Sequence, residues 1–577
     1  MDPLVYSSPP MQGMTSVWVL PEGGQRQEDL LTEVLKARGL VDAADREGYL
    51  GAVMANFDPP DHLPGVSEAA ERILRALAEN ERIAIYGDYD VDGITSTAIL
   101  TRVLRGISSK AEIEPYIPHR IDEGYGLNVS AVEELKSRGV SLVITVDCGV
   151  TARAEAVACR ELGIDLIITD HHLPGDAELP DAAVIVHPAL PGSTYPWPQL
   201  SGSAVAYKLA RHLVSVHQGK DDPTGPLAVV LKDAVCLAGM GVIADVVPLV
   251  GENRKFAAKA IRMMRQCSLA GIKAMLSVCV KQGESIESET VGFRIGPRLN
   301  AAGRMGHAQE ALDLLLCDDP GEAAAIAKRL SNVNQQRQSL AAELTKQADE
   351  MAHIEGMTSD NKRMVVLRDE SWHPGVIGIV CSRLVERHQR PVVLLCGGVK
   401  GPLKGSARSI EGYSIHEAIK SCGDRFVSFG GHAMAAGMTL QTESFDDVQE
   451  ALLAHAHERL KPEDLVRRLR IDCEVQLDDL TTQSVKSLQA MQPTGRDNEA
   501  ACLMIRSGVI TKSKVMGRDS AHLDLTIGSI RAPWFQHGHF VDTLPKGAVV
   551  DIVFEPKVDS WRGVERVQLH IKDVRRH

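Results

Sequence analysis

Three aspartates at alternate positions, Asp88, Asp90 and Asp92, followed by Gly93, are the densest run of potential chemistry in the chain. Carboxylates packed so closely repel one another and are poorly tolerated unless a cation neutralises them. A D-x-D-x-D-G run also opens an EF-hand calcium loop. That loop closes on a glutamate at its twelfth position, here Ile99, and lies between two helices. The apolar residues Ile83, Ala84 and Ile85 before the aspartates read instead as a buried strand, with a helix from Ile94 onward. Strand-to-helix turns are where open α/β sheets bind ligands. The pattern points to a metal-dependent enzyme site.

Further along, Leu142 to Val146 reads as a strand that ends in Asp147, and Asp165 to Thr169 as one that ends in Asp170, His171 and His172. In a parallel sheet the C-terminal ends share one edge, so these groups converge with the first three aspartates. Asp245, in GVIADVVPL, is either a cap, a buried hydrogen-bonded group or a further ligand. His119 and His187 stand next to prolines and read as loop histidines.

Strands alternating with amphipathic helices from Arg82 to Thr169 predict that parallel sheet. Glu112 to Ile117 is its second strand, followed by the loop PHRIDEGYGLN. Before it come a helix over Gln27 to Ala37, a proline-rich stretch, and a helix that Ser67 could cap. At 577 residues the chain exceeds one core, and about three or four domains are expected. The organisation expected is an N-terminal segment (1–65), a metal-site domain (66–319), a connecting helix (320–355), a second α/β lobe (356–462) and a terminal β-barrel (463–577).

With 44% hydrophobic and 24% charged residues the composition is that of an ordinary globular protein. The N-terminus shows no signal-peptide pattern, and Leu227 to Val250 is interrupted by Lys232, Asp233 and Asp245, so no membrane span is expected. Eleven cysteines without a C-x-x-C pair suggest reduced thiols in a cytoplasm. A net charge of −13 argues against a nucleic-acid binder only as a sum, because a basic groove can sit on an acidic protein. No G-x-x-x-x-G-K-[ST] occurs, which disfavours a P-loop motor.

VGFRIGPRLNAAGRMGHA threads Arg294, Arg298 and Arg304 through glycines, as either a phosphate-binding loop or a solvated one. A helix from about Pro320 to His353 keeps Ile326, Leu330, Val333, Leu340, Leu344 and Ala348 on one stripe, interrupted by Arg337, and would reach about 50 Å. In the lobe that follows, LKGSARS and FGGHAMAAGM read as glycine-rich turns, structural or phosphate-binding. The last section predicts about five strands, at Cys502–Ile505, Lys512–Met516, His522–Ile527, Val550–Phe554 and Val567–Ile571. There Lys512, Lys514, Arg518, Arg531, Arg562 and Arg566 interleave with Trp534, Phe535 and Trp561, as a platform for a single strand requires; the alternative is that the aromatics are core.

The motifs DYDVDG, VDCG, DHH and GVIADVVPL, in that order, resemble the DHH phosphoesterases, and GGHAMAAG resembles their associated DHHA1-type second domain. IGPRLNAAGR, HRIDEGYGLN and WHPGVIGIVCSRL narrow the resemblance to the RecJ family of bacterial single-strand-specific DNA exonucleases. It covers residues from about 30 to 577 and is densest from Arg82 to Gly437. MQPTGRDNEAA (Met491 to Ala501) follows the family's approach to its OB-like barrel only loosely.

The resemblance implies 5′-to-3′ hydrolysis of single-stranded DNA to 5′-mononucleotides with divalent manganese or magnesium, in DNA repair and recombination. It assigns Asp147 as bridging ligand, Asp88 and Asp90 to one ion, and Asp92, His171 and Asp245 to the other. His172 would face the scissile phosphate, Asp170 would orient the histidines, and Arg304 would contact the same phosphate. Arg120, Ser406 and Arg408 would hold the 5′-phosphate, with Arg298, His432, Lys512, Lys514 and Trp534 as further DNA contacts. A monomer working with single-strand-binding protein and a RecQ-type helicase is the expected setting. The residues support the metal chemistry on their own terms. Carboxylates with imidazoles suit Mn²⁺ better than Zn²⁺ or Ca²⁺, and the donors outnumber the needs of one ion. Two ions about 3.5–4 Å apart would serve an in-line displacement. Two rivals stay open: a DHH phosphodiesterase for short oligonucleotides or cyclic dinucleotides, and a non-catalytic replication scaffold. The terminal barrel weighs against the first, and the complete ligand set against the second.

Overall fold

Ile83–Tyr86 (β1), Ile113–Tyr116 (β2), Leu142–Val146 (β3), Asp165–Thr169 (β4) and Val184–Val186 (β5) form one parallel sheet in the order β2-β1-β3-β4-β5. The computed structural model describes residues 10–20, 28–54, 56–120, 122–175, 178–398, 401–561 and 563–577. β1 and β3 are buried on both faces, which their unbroken apolar sequences require. One face is covered by Val66–Glu79 (α1), Val91–Ile107 (α2) and helices that follow the sheet, the other by Val129–Ser137 (α3) and Arg153–Glu161 (α4). The strand order reverses between β1 and β3, so their C-terminal loops part and leave a crevice there.

Gly202–Gln218 (α5), Gly225–Ala244 (α6) and Gly251–Met263 (α7) complete the first core. α6 is long and apolar enough to cross a membrane, yet 67% of its most apolar window is buried. It packs among α2, α5 and α7. Two expectations change in this region. Gly65, in a left-handed conformation, caps α1, and Ser67 lies within the first turn. The glycine-and-arginine segment is helical rather than a loop: Ser288–Thr290, a π-helical turn Val291–Ile295, then Gly296–Met305 (α8). Gly303 lets this helix approach the aspartate loop, since a Cβ there would lie 3.0 Å from the Tyr89 carbonyl.

Pro320–Ile354 (α9) is capped by the Asp319 carboxylate, which accepts the Glu322 N–H at 2.7 Å. Its first half (Ala323, Ile326, Ala327, Leu330) belongs to the first core. Its second half (Ala341, Leu344, Ala348, Ala352) belongs to that of the next lobe. Val333 and Leu340 are only half-buried, and Asn334 takes the buried position between them.

Pro374–His388 (α10) covers a second sheet of Val365–Asp369 (β6), Val392–Gly397 (β7), Leu403–Arg408 (β8), Phe426–His432 (β9) and Ala435–Leu440 (β10). The order is β9-β10-β8-β7-β6, and only β6 and β7 run parallel. LKGSARS, expected to be a turn, is therefore a strand, whereas FGGHAMAAGM is a β-hairpin whose turn is Ala433 and Met434. Gly405 makes room for its neighbours across the sheet, because a Cβ there would meet Met438 at 2.7 Å and Leu395 at 3.1 Å.

Residues up to Ala52 belong with Lys461–Gln492 and Glu499–His577 as a separate compact unit. Leu503–Met516 is one strand where two were expected, bent by a register shift between Ile505 and Gly508. It pairs with both His522–Ile527 and Val549–Trp561, and with Ile530–Trp534 and Val564–Arg576 closes a five-stranded barrel. The buried Trp18 donates from Nε1 to Asp573 at 2.8 Å, and Arg38 binds Asp472 through two hydrogen bonds. Of the helix expected over Gln27 to Ala37, Leu30–Ala37 is present and Gln27 lies outside the described residues.

The close approach of α6 and α7 depends on Gly239, whose added Cβ would fall 2.2 Å from the Ala260 Cβ and 2.8 Å from the Phe256 carbonyl. Gly239→Ala should cost about 1–3 kcal/mol by overpacking. A chemical-denaturation midpoint equal to that of the parent chain would show that the two helices part freely.

Candidate metal centre

Asp90 is the N-cap of α2, where its carboxylate accepts the N–H groups of Asp92 at 2.9 Å and Gly93 at 3.2 Å. That cap folds the turn back so that Asp88 and Asp92 lie beside it. Gly93 is essential to the fold-back, since a Cβ would sit 2.5 Å from the Asp88 nitrogen. Asp147 follows β3 in a left-handed conformation (φ 62°), which aspartate tolerates better than most residues. Asp245 caps the C-terminus of α6. Asp170 follows β4 and is consumed by donors: Val150 N–H, His171 N–H, His172 N–H and His172 Nδ1.

His171 Nε2 lies 3.0 Å from Asp147, 3.6 Å from Asp245 and 3.9 Å from Asp92. Potential ligand atoms of Asp92, His171 and Asp245 fall within 4.8 Å of one another, and so do those of Asp88, Asp90 and Asp147. A third set, Asp147 with His171 and His172, joins the two. Burial first, then the neighbouring carboxylates, pushes Asp88, Asp147 and Asp245 well above the usual carboxylate range, and Asp92 up to about 6. Burial, followed by the neighbouring His172, holds His171 down to about 3, so its ring is neutral. Its hydrogen bond to the Leu200 backbone leaves Nε2 free to act as a ligand. Asp88 Oδ1, Asp147 Oδ1 and His171 Nε2 are buried without a hydrogen-bond partner; the 3.0 Å approach of the last two is not aligned as one. Orphaned, mutually repelling oxygens with one imidazole fit hard divalent cations such as Mn²⁺ or Mg²⁺.

The first turn of α5 supplies what the sequence did not show. Its Gly202 and Ser203 N–H groups donate to Asp92 at 2.6 and 3.1 Å, a helix N-terminus aimed at a carboxylate. Gly202 and Gly241 have no room for a side chain: a Cβ would lie 2.5 Å from Asp147 Oδ1 and 2.2 Å from Asp92 Oδ1, respectively. The only signal was SGSA, with Ser201 as a cap. His187 stands in the loop after β5, as expected, and is no ligand; it is fully buried there and donates from Nε2 to the His172 carbonyl at 2.8 Å, which supports the centre from behind. His119 pairs with Asp122 and stacks on His307.

Burial disfavours a charge on His172, but the hydrogen bond and charge of Asp170 outweigh it and raise the ring to about 9. Its face stacks on His432 from the second lobe, centroids 6.2 Å apart, and the Tyr125 hydroxyl lies 3.2 Å from its Nδ1. Arginines gather near by. Burial, then Arg120, Arg408 and Arg337, draws Arg304 down to about 9. Arg120 lies over the Tyr89 ring at 4.6 Å, and Arg408 donates to Ser406 Oγ at 3.3 Å. Gly378 gives that pair its space. Arg298 turns away, toward Ser331 on α9 and the Arg294 carbonyl.

Trp534 is not a stacking platform. It is 1% exposed and packed on His537 and Phe540 inside the barrel, while its neighbour Phe535 is exposed. Lys512 and Lys514 are exposed, with Lys512 3.6 Å from Asp524. Arg562 and the Trp561 side chain lie outside the described residues. Asp349, His353 and His388 also cluster, but the Asp349 carboxylate already takes Arg387 and His388, tying α9 to α10.

Asp147→Asn keeps the shape and the left-handed turn while deleting one buried like charge. The chelator-treated variant should melt at or above the temperature of the parent protein, whereas the stabilisation on adding Mn²⁺ should shrink. A lower melting temperature of the metal-free variant would mean that Asp147 is held by contacts other than a cation.

Three family profiles match the chain: DHH family, N-terminal domain (residues 82–238), DHHA1 domain (361–458) and RecJ OB domain (471–573). The single-stranded-DNA-specific exonuclease RecJ of Bacillus subtilis is 38% identical over 552 residues, spanning 94% of this chain and 68% of that protein. Its namesake from Salmonella typhimurium is 34% identical over 562 residues, spanning 94% and 95%. The crystal structure of RecJ in complex with Mn²⁺ from Thermus thermophilus matches 97% of this chain and 79% of its own, with a TM-score of 0.80 at 29% identity. With parallel-sheet, second α/β and barrel domains all matched in order, the chain belongs to the RecJ family.

Proposed function

We propose that this protein is a single-stranded-DNA-specific exonuclease that hydrolyses its substrate from the 5′ end and releases 5′-mononucleotides. The observation that carries the reading is the set of orphaned buried ligand atoms, shared between two groups through Asp147 and faced by crowded arginines. The similarity to proteins named single-stranded-DNA-specific exonucleases supports the substrate, and Mn²⁺ and Mg²⁺ complexes of a relative support the cofactor. The similarity to bacterial exonucleases supports a setting in the bacterial cytoplasm, in repair and recombination, with single-strand-binding protein and a RecQ-type helicase as expected partners.

Two divalent cations held by Asp88, Asp90 and Asp147 on one side and Asp92, Asp147, His171 and Asp245 on the other would supply Lewis acidity for an in-line displacement at phosphorus. The chain's own groups do the rest. Arg304 neutralises the non-bridging oxygens of the scissile phosphate. His172, kept protonated by Asp170, donates to the same phosphate or to the departing 3′-oxygen. Water adds to phosphorus as the P–O3′ bond breaks, so the released nucleotide keeps its 5′-phosphate and the shortened strand gains a new one. Each cut regenerates the group that Arg120, Ser406 and Arg408 read. A terminal phosphate carries more charge than an internal diester, and arginine with a hydroxyl distinguishes the two.

Arg408→Ala should therefore slow cleavage of 5′-phosphorylated strands far more than of 5′-hydroxyl strands. Arg304→Ala should slow both alike, because both contain the scissile phosphate. Initial rates on matched substrates test this, and an unchanged ratio in Arg408→Ala would place the end-binding pocket elsewhere. For the barrel, Lys512→Ala with Lys514→Ala should lower the log–log salt slope of long-strand binding by about 0.7 per lost contact. An unchanged slope would mean that the strand leaves by another face.

A further inference from the structure

Pro493–Asn498 groups with the α/β body, although the residues on either side of it group with the barrel. The segment is a tight hairpin: Gly495 and Asn498 exchange backbone hydrogen bonds at 2.9 and 3.1 Å around Arg496 and Asp497, with Asp497 left-handed. The Asn498 side chain closes it on the Pro493 carbonyl at 2.7 Å.

Its outer side meets the turn that follows Asp245. The Arg496 carbonyl accepts the Leu249 N–H at 2.8 Å, and the Arg496 guanidinium reaches the Val246 carbonyl at 3.5 Å. Gly495 lies so close to Leu249 that a Cβ would fall 2.6 Å from its side chain. Val246, directly after Asp245, has φ 60° although it is β-branched and more than half exposed. Nothing in its own side chain favours that conformation, and a strained residue of this kind persists only where the surroundings impose it. The same hairpin accepts from Ser288 Oγ through the Thr494 carbonyl at 2.6 Å, at the start of the helical segment that carries Arg304.

We propose that the hairpin Thr494–Asn498 is a positioning device for Asp245, imposing the left-handed turn at Val246 that aims this carboxylate at His171 and Asp92. This rests on Asp245 acting as a metal ligand. It makes the segment leading into the barrel a working part of the metal centre.

Mn²⁺ titrated into chelator-stripped full-length protein, with free ion read by electron paramagnetic resonance, tests the idea apart from nuclease activity. Gly495→Val should displace the hairpin from Leu249 and weaken one Mn²⁺ site about tenfold or more. Arg496→Ala, which keeps the backbone contact and decides the matter should Gly495→Val fail to fold, should weaken it about threefold. In an Asp245→Asn background neither change should add a further loss. Mn²⁺ affinity unchanged in Arg496→Ala and in folded Gly495→Val, or an equal loss with and without Asp245, would overturn the positioning role. If Asp245→Asn itself binds Mn²⁺ as tightly as the parent chain, the ligand assignment fails instead of the hairpin.

Discussion

Five carboxylates that repel one another in a buried crevice are the constraint on which the rest of this structure depends. Asp88, Asp147 and Asp245 are held well above their ordinary ionisation range, and Asp92 up to about 6, by burial and then by their neighbouring carboxylates. A fold does not keep such a group together for stability. Removing charge from it would relieve the body of the protein, so its persistence marks a site shaped for cations. The strand order provides the place, because loops diverge where the order reverses between β1 and β3. The glycines provide the distances, since Gly93, Gly202 and Gly241 each let backbone or helix approach a carboxylate where any side chain would collide.

Histidines divide the labour through their hydrogen bonds. His171 is neutral and offers a free lone pair, while its neighbour His172, bonded to the Asp170 carboxylate, carries a proton at neutral pH. Asp170 itself stays ionised far below the usual range, its burial outweighed by His172 and by backbone donors. Two adjacent imidazoles thus hold opposite protonation states, one suited to a cation and the other to a phosphate.

The candidate ligands Asp88, Asp147, His171 and Asp245 could be picked out because each stands just past an apolar strand or at the end of a long apolar helix, whereas Asp90 and Asp92 open α2. Glycine-rich stretches misled for one physical reason. Glycine was read as conformational freedom, which Gly431 does use at φ 136°, but Gly405 in LKGSARS and Gly303 before Met305 instead provide clearance for a close neighbour. Trp534 misled differently, since a period-two strand does not say which face is buried until the barrel closes. Long-range associations left no local trace. Gly202 reaches Asp92 across 110 positions, and Trp18 reaches Asp573 across 555.

The same charge arrangement settles how an acidic chain can handle a polyanion. A net charge of −13 includes the five carboxylates of the candidate centre, whose field would repel phosphate in the absence of metal. Two divalent cations offset four of those charges, and His172 supplies a further positive charge at the mouth of the crevice. Near them burial, and after it the charges of Arg120, Arg408 and Arg337, draws Arg304 down to about 9, a cost that a bound phosphate would offset. Acidic and basic clusters each carry an electrostatic cost until their counter-ions arrive, the cations for one and the strand for the other. The two costs are relieved at adjacent points of a single crevice, and that is where hydrolysis becomes possible.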